Sequence, residues 1–163
     1  MIRLSPTSYP IFALLISAGL LIGAWIFQYG FGYLPCTMCY WQRHAHKAVV
    51  GLAVLALVWR YFKPDAPQTG FFRVILIVAF LGSAALAFYH VGVEHLWWEG
   101  PKTCGSGAVN LGKPVDLMAE LDKKIKPPAC TDVVWSLFGI SMAGYNTLAS
   151  LLGAGLGLFV KTK

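Results

Sequence analysis

The run IFALLISAGLLIGAWIF, from Ile11 to Phe27, holds no charged residue and decides the fold class. A helix needs roughly 20 largely apolar residues, within a range of about 17–25, to cross a bilayer. Three further stretches read the same way: His44 to Trp59, Phe71 to Tyr89 with a possible reach to Leu96, and Leu137 to Val160. A single segment in lipid can pair its own backbone groups only as a helix. The expected fold is therefore all-α and integral to the membrane, a bundle of four transmembrane helices forming one membrane domain over 1–163. Composition agrees: 57% of the 163 residues are hydrophobic and only 12% charged, against about 25% charged in soluble domains. The net charge of +6 sits in short flanks beside the apolar runs. That placement suits lipid head groups and membrane topology, not nucleic acid.

Arg3 before the first run gives it a superficial likeness to a signal peptide. Its apolar stretch exceeds the usual 7–15 residues, no cleavage site follows and three more spans come after, so an uncleaved helix is expected. Small residues at helical spacing, Gly19 with Gly23, Gly82 with Ala85 and Gly153 with Gly157, are expected to let the helices approach closely.

Four spans put both termini on one side and the loops at 28–43 and 97–134 on the other. Arg3, Arg60, Lys63, Arg73, Lys161 and Lys163 lie in short segments on the terminal side, with Asp65 as the only acid. Most cations of the other side are diluted in the long loop among Glu99, Asp116, Glu120, Asp122 and Asp132. The positive-inside rule then expects cytoplasmic termini and external loops. Within the long loop, Val115 to Lys126 reads as one short amphipathic helix lying on the membrane surface.

All four cysteines, Cys36, Cys39, Cys104 and Cys130, fall in those two loops. One face thus carries every thiol, and an oxidising compartment suits that face. Cys36-Thr37-Met38-Cys39 is a C-x-x-C at the mouth of a span. Such a pair forms a small-ring disulfide, and local positive potential stabilises one thiolate. Arg43, with His44, His46 and Lys47 beyond it, is the source of that potential, and Cys39 and Arg43 are spaced to share a helical face. A zinc site generally needs a second C-x-x-C or paired histidines, and a c-type haem needs C-x-x-C-H where Tyr40 stands here. Two inert structural disulfides are the serious alternative, and four cysteines allow three connectivities. A loop-closing bond explains the distant pair, but the tiny C-x-x-C ring gains little from closure.

The stretch Pro35-Cys36-Thr37-Met38-Cys39-Tyr40-Trp41-Gln42-Arg43, with four spans, two loop cysteines and the segments Tyr89–Glu94, Gly100–Cys104 and Trp135–Ser141, resembles the DsbB-type disulfide bond formation proteins, quinone-linked thiol oxidases of the bacterial inner membrane. The resemblance covers nearly the whole chain. It implies a partner, a periplasmic DsbA-like thioredoxin-fold oxidase, and a non-covalently bound quinone (ubiquinone or menaquinone). It also implies that a Cys104–Cys130 disulfide receives the partner's thiolate at Cys104. Cys130 then attacks Cys36, and Cys39 leaves as the thiolate that donates to the quinone. Arg43 would stabilise that thiolate and the quinone oxygen, with His90 and Gln42 completing the cofactor site. His95 is the alternative to His90, and Gln42 stands where some members carry Glu. The competing readings are a quinone or vitamin-K-epoxide-type reductase of reverse flow, whose C-x-x-C sits in a late helix, and a disulfide-stapled membrane binding protein without redox turnover.

Overall fold

The computed structural model describes residues 3–4, 7–63, 69–104, 128–159 and 161–162. Four long helices account for most of them. They are α1 (Ser8–Trp25), continued by a π-helical turn over Ile26–Gly30, α2 (Thr37–Phe62), α3 (Thr69–Glu94) and α4 (Met142–Phe159). Among the described residues, three helical stretches are long and apolar enough to cross a membrane: Ser8–Gly30, Thr37–Phe62 and Gly70–Glu94. The fourth helix, α4, has 18 residues, with Asn146, Thr147 and Ser150 among them. It packs chiefly along α3, while α1 packs on α2 and α2 on α3. The exposed helix surfaces are apolar, with Leu15, Ile22, Leu55, Val74, Val78 and Leu151 all turned outward. Polar side chains are turned inward instead: Ser17, Gln42, His46, Ser83, His90, Asn146 and Ser150 are buried. Apolar outside and polar inside is the arrangement of an all-helical membrane protein.

Two expected boundaries move. The second helix does not wait for the apolar run at His44 but starts at Thr37, so the loop expected over 28–43 is helical from Thr37 onward. Cys36 caps this helix in an extended conformation, its sulfur accepting a hydrogen bond from the Cys39 backbone N–H at 3.2 Å. Of the polar residues in its first turns, Gln42 and His46 face the protein interior. The fourth helix starts at Met142, not at Leu137. Leu137 lies instead in a small antiparallel hairpin, β2 (Ser136–Leu137) paired with β3 (Ile140–Ser141). Phe138 and Gly139 form its two-residue turn at φ 51° and 77°, positive at both positions as a tight hairpin loop requires. Ser141 then caps α4, its hydroxyl accepting from the Gly144 N–H at 3.2 Å. The third helix runs past Tyr89 to Glu94. The short amphipathic helix expected over 115–126 lies outside the described residues.

The lower half of the bundle is closed by a core of Tyr9, Ala13, Val49, Ala53, Leu76, Phe80 and Ala154. Two glycines of α4 permit it. A methyl group at Gly153 would stand 2.7 Å from the Phe80 ring, and one at Gly157 would stand 2.5 Å from Ile77 and from the Tyr9 ring. The other expected small-residue contacts are not used this way: Gly82 and Ala85 are exposed, and Gly19 and Gly23 have nothing packed against them. At the same end, β1 (Arg3–Leu4) pairs in parallel with β4 (Lys161–Thr162), so the two ends of the chain meet away from the cysteines. Arg73 donates to the carbonyls of Gly157 (2.6 Å) and Leu158 (3.1 Å), covering the C-terminal end of α4. Gly153→Leu should destabilise the bundle by about 1–3 kcal/mol through overpacking, seen as earlier thermal unfolding in detergent. Gly82→Leu should stay within about 0.5 kcal/mol of the parent.

Candidate redox site

The segment after α3 is folded back on that helix. Trp98 donates from Nε1 to the Tyr89 carbonyl (2.8 Å) and stacks on the Tyr89 ring with an interplanar angle of 6°. The Tyr89 hydroxyl in turn donates to the Glu99 carbonyl at 3.0 Å. Gly92 makes room for this, since a Cβ there would fall 2.0 Å from the indole. The chain is thereby delivered to a 3-10 turn, Lys102–Cys104, beside the start of α2. The Thr37 hydroxyl donates to the Thr103 carbonyl at 3.0 Å and ties the two loops together.

Cys104 and Cys130 form a disulfide, and the Cys130 N–H donates to the Cys104 carbonyl at 3.3 Å. Cys36 and Cys39 are free, with their sulfurs 2.6 Å apart. The two pairs share one buried cluster with Met38 and Val93. Sulfurs of Cys36 and Cys130 and a ring nitrogen of His90 all lie within 4.8 Å of one another. The outer pair is bonded in this structure, the inner pair is not, and a sulfur of each pair lies within reach of the other. The hydrogen bond with Cys39, together with burial, pushes the Cys36 thiol well above its ordinary range.

Beneath the inner pair lies a cavity of about 320 Å³ between α1, α2, α4 and the hairpin. Its walls are largely apolar: Leu20, Leu21, Phe27, Trp135, Leu137 and Met142, with Gly19 and Gly23 leaving the α1 side open. The polar wall is a single stripe of α2, with Cys39, Gln42, Arg43 and His46, faced by Asn146 and Tyr145 of α4. Arg43 donates from Nη1 to the Gln28 side chain and from Nη2 to the Ala24 carbonyl (3.1 Å), so the guanidinium is held at the end of α1. Volumes of about 300–1,000 Å³ with a few converging polar groups are usual for small-molecule sites.

Of the residues singled out in the sequence, all four cysteines and Arg43 and Gln42 gather here. His90 is buried and 3.7 Å from the Cys36 sulfur, but it stands behind Gln42, outside the cavity wall. His95 lies past the end of α3, exposed and stacked on Trp97. His46, read as part of the positive potential around Cys39, is turned into the interior and bonded to Ser17 and Asn146. Asn146 and Glu94 carried no signal in the cysteine pattern. A polar or ionisable residue in mid-span is itself a functional marker, and that criterion picks out both His46 and Asn146.

An all-helical membrane fold that holds a dithiol against a disulfide defines a membrane thiol–disulfide protein. The family model for disulfide bond formation protein DsbB matches residues 6–160, and the chain belongs to that family. It is 28% identical over 157 residues to disulfide bond formation protein B of Marinobacter nauticus, covering 94% of this chain and 92% of that protein. The protein of the same name from Methylococcus capsulatus is 28% identical over 146 residues, 89% of this chain and 85% of its own. An uncharacterised protein of Rickettsia prowazekii is 26% identical over 140 residues, 83% of this chain and 78% of its own. No solved structure matches. The chain is thus a membrane disulfide bond formation protein.

With Cys36 more buried than Cys39 and its thiol pushed above the ordinary range, brief alkylation of the reduced protein near neutral pH should label Cys39 first. Cys36 labelling should rise only under alkaline conditions. Peptide mass spectrometry reads the order, and equal labelling of both thiols would contradict it.

Proposed function

We propose that this protein oxidises a periplasmic DsbA-like thioredoxin-fold dithiol partner and passes the two electrons through Cys104–Cys130 and then Cys36–Cys39 to a membrane quinone. In this reading α4 is a fourth span, both termini are cytoplasmic, the cysteine loops face the periplasm, and the membrane is the bacterial inner membrane. The observation that carries it is the meeting of the two sulfur pairs, with Cys130 within 4.8 Å of Cys36 while Cys39 and Arg43 wall the cavity.

The thiol chemistry follows from exchange by thiolate attack on a disulfide sulfur. The partner's thiolate attacks Cys104, forming a mixed disulfide and releasing Cys130 as a thiolate. The partner's second thiolate then resolves the mixed bond, leaving as oxidised partner and freeing Cys104. Cys130 attacks Cys36, breaking the Cys36–Cys39 bond and setting Cys39 free as a thiolate. Cys104 attacks Cys130, restoring the outer disulfide and returning Cys36 as a thiol beside Cys39. Two electrons and two protons have then moved from the partner dithiol to the inner dithiol.

The cavity suits a flat carbonyl compound with an apolar tail: apolar on most sides, with one thiol sulfur and one guanidinium on the polar wall. A quinone bound there supplies a two-electron, two-proton acceptor. Arg43 is always charged and donates several hydrogen bonds, so it holds negative charge on the Cys39 sulfur and on a carbonyl oxygen beside it. Gln42 and Asn146 add neutral hydrogen bonds along the same wall.

The test is quinone reduction, followed by absorbance, by the purified protein given the reduced partner. Cys39→Ala should abolish quinone reduction while still trapping the partner through Cys104, and Arg43→Leu should slow turnover by about 100-fold or more. No reduction by the parent protein would reject the reading. Membrane-impermeant thiol labelling should place Cys36 and Cys104 on the same, periplasmic side.

A further inference from the structure

Inside the bundle, a line of hydrogen bonds crosses all four helices and ends at the inner cysteine pair. It starts on α1 at Ser17, whose hydroxyl lies 3.2 Å from Nδ1 of His46. Nε2 of His46 lies 2.6 Å from Oδ1 of Asn146 on α4. Asn146 donates from Nδ2 to Oε1 of Gln42 at 2.6 Å. Nε2 of Gln42 lies 2.7 Å from Nδ1 of His90 on α3, and Nε2 of His90 lies 3.7 Å from the Cys36 sulfur. All five of these side chains are buried.

We propose that Gln42 and Asn146 are positioning residues that fix the tautomer of His90, so that its Nε2–H faces the Cys36 sulfur. An amide nitrogen only donates, so His90 Nδ1, facing Gln42 Nε2, accepts. The one proton of the neutral ring is then on Nε2. Gln42 cannot turn over without setting its own NH₂ against that of Asn146. Asn146 takes the matching direction when His46 Nε2, which also lies 3.1 Å from the Ser83 hydroxyl, and the Ser150 hydroxyl (3.2 Å) donate to its oxygen. Each donor therefore points the same way along the line, from α1 toward the sulfur, and hydrogen bonds aligned in series polarise one another. Two flipped amides would reverse every bond and place a lone pair against Cys36 instead.

The chemical consequence is support for negative charge on Cys36 whenever it loses its proton. Other titratable or charged groups also act at this spot. Cys39 is 2.6 Å from the Cys36 sulfur on α2, with Arg43 one turn further along. From α3, Glu94 places Oε1 4.0 Å from His90 Nε2 and competes for the same proton, while the Ser141 hydroxyl of the hairpin donates to its other oxygen. Cys130 is held in its disulfide, and its backbone carbonyl is a further acceptor for the His90 ring proton beside the Cys36 sulfur. What this does for turnover rests on the function proposed above; the tautomer itself does not.

The first measurement is ¹⁵N NMR of histidine-labelled protein in detergent, reduced at the inner pair only, with the His90 signal assigned by its loss in His90→Asn. The expected result is a neutral ring protonated on Nε2. In Gln42→Glu a carboxylate must accept where the amide donated, so Nδ1 should gain a proton. A wild-type His90 protonated on Nδ1, or a Gln42→Glu protein with Nδ1 still bare, overturns the proposal. The second measurement uses Cys39→Ser, in which Cys36 is the free thiol beside an intact outer disulfide. Adding Gln42→Leu or Asn146→Leu should slow Cys36 alkylation near neutral pH by about tenfold, one pKa unit of lost thiolate. An unchanged rate also overturns it. Neither measurement uses quinone or partner, so a protein that failed to reduce quinone would reject the proposed function and leave this inference standing.

Discussion

A polar group buried in hydrocarbon without a partner costs several kcal/mol, and the interior of this protein is organised around that constraint. Among the described residues, seven polar side chains are buried among the helices, and each finds its partner on another helix or one turn away. Such bonds act only at one relative depth of the helices. Gln42 must lie level with both His90 and Asn146, and His46 with both Ser17 and Asn146. The same bonds that hold the helices in register thus bring the polar wall of α2 to one height, directly below the sulfur pairs.

The two sulfur pairs are joined by weaker and more local devices. A threonine hydroxyl ties the start of α2 to the 3-10 turn, and an indole lying over Gly92 turns the chain back on α3. The disulfide then fixes Cys130 against Cys36, His90 and Val93. Because these contacts sit at the end of the bundle, the redox centres are placed by rigid helix ends on one side and short loop contacts on the other. The apolar core around Tyr9 and Phe80 lies at the far end, away from the sulfur pairs. It provides the close packing that lets the redox end remain polar and partly hollow.

Much of this was legible in the chain. Uncharged runs such as Ile11–Phe27 point to membrane helices, because lipid allows few alternatives to a helix. The C-x-x-C with Arg43 four residues on from Cys39 points to a thiolate beside a fixed cation, because helical spacing sets that neighbourhood regardless of the rest of the fold. Hydropathy misplaced the start of α2, since Gln42, Arg43 and His46 are polar yet belong to a helix whose polar face is covered by protein. It misplaced the start of α4 as well, where Phe138 and Gly139 turn a hairpin that apolar content cannot reveal. Gly19 and Gly23 were read as helix-packing residues, and they instead leave space in the cavity wall.

The sequence by itself determined the apolar surroundings, the presence of the long helices and the pairing of Cys39 with Arg43 on one helix, because these follow from side-chain chemistry and from neighbours within one or two turns. The tertiary structure alone decided which groups meet across helices: Cys130 with Cys36, Asn146 with Gln42, and Gln42 with His90. Those partners are separated by 48 to 104 positions in the two hydrogen-bonded cases. Contacts at that range depend on the depth and rotation of each helix, which packing and buried hydrogen bonds set together and no local pattern encodes.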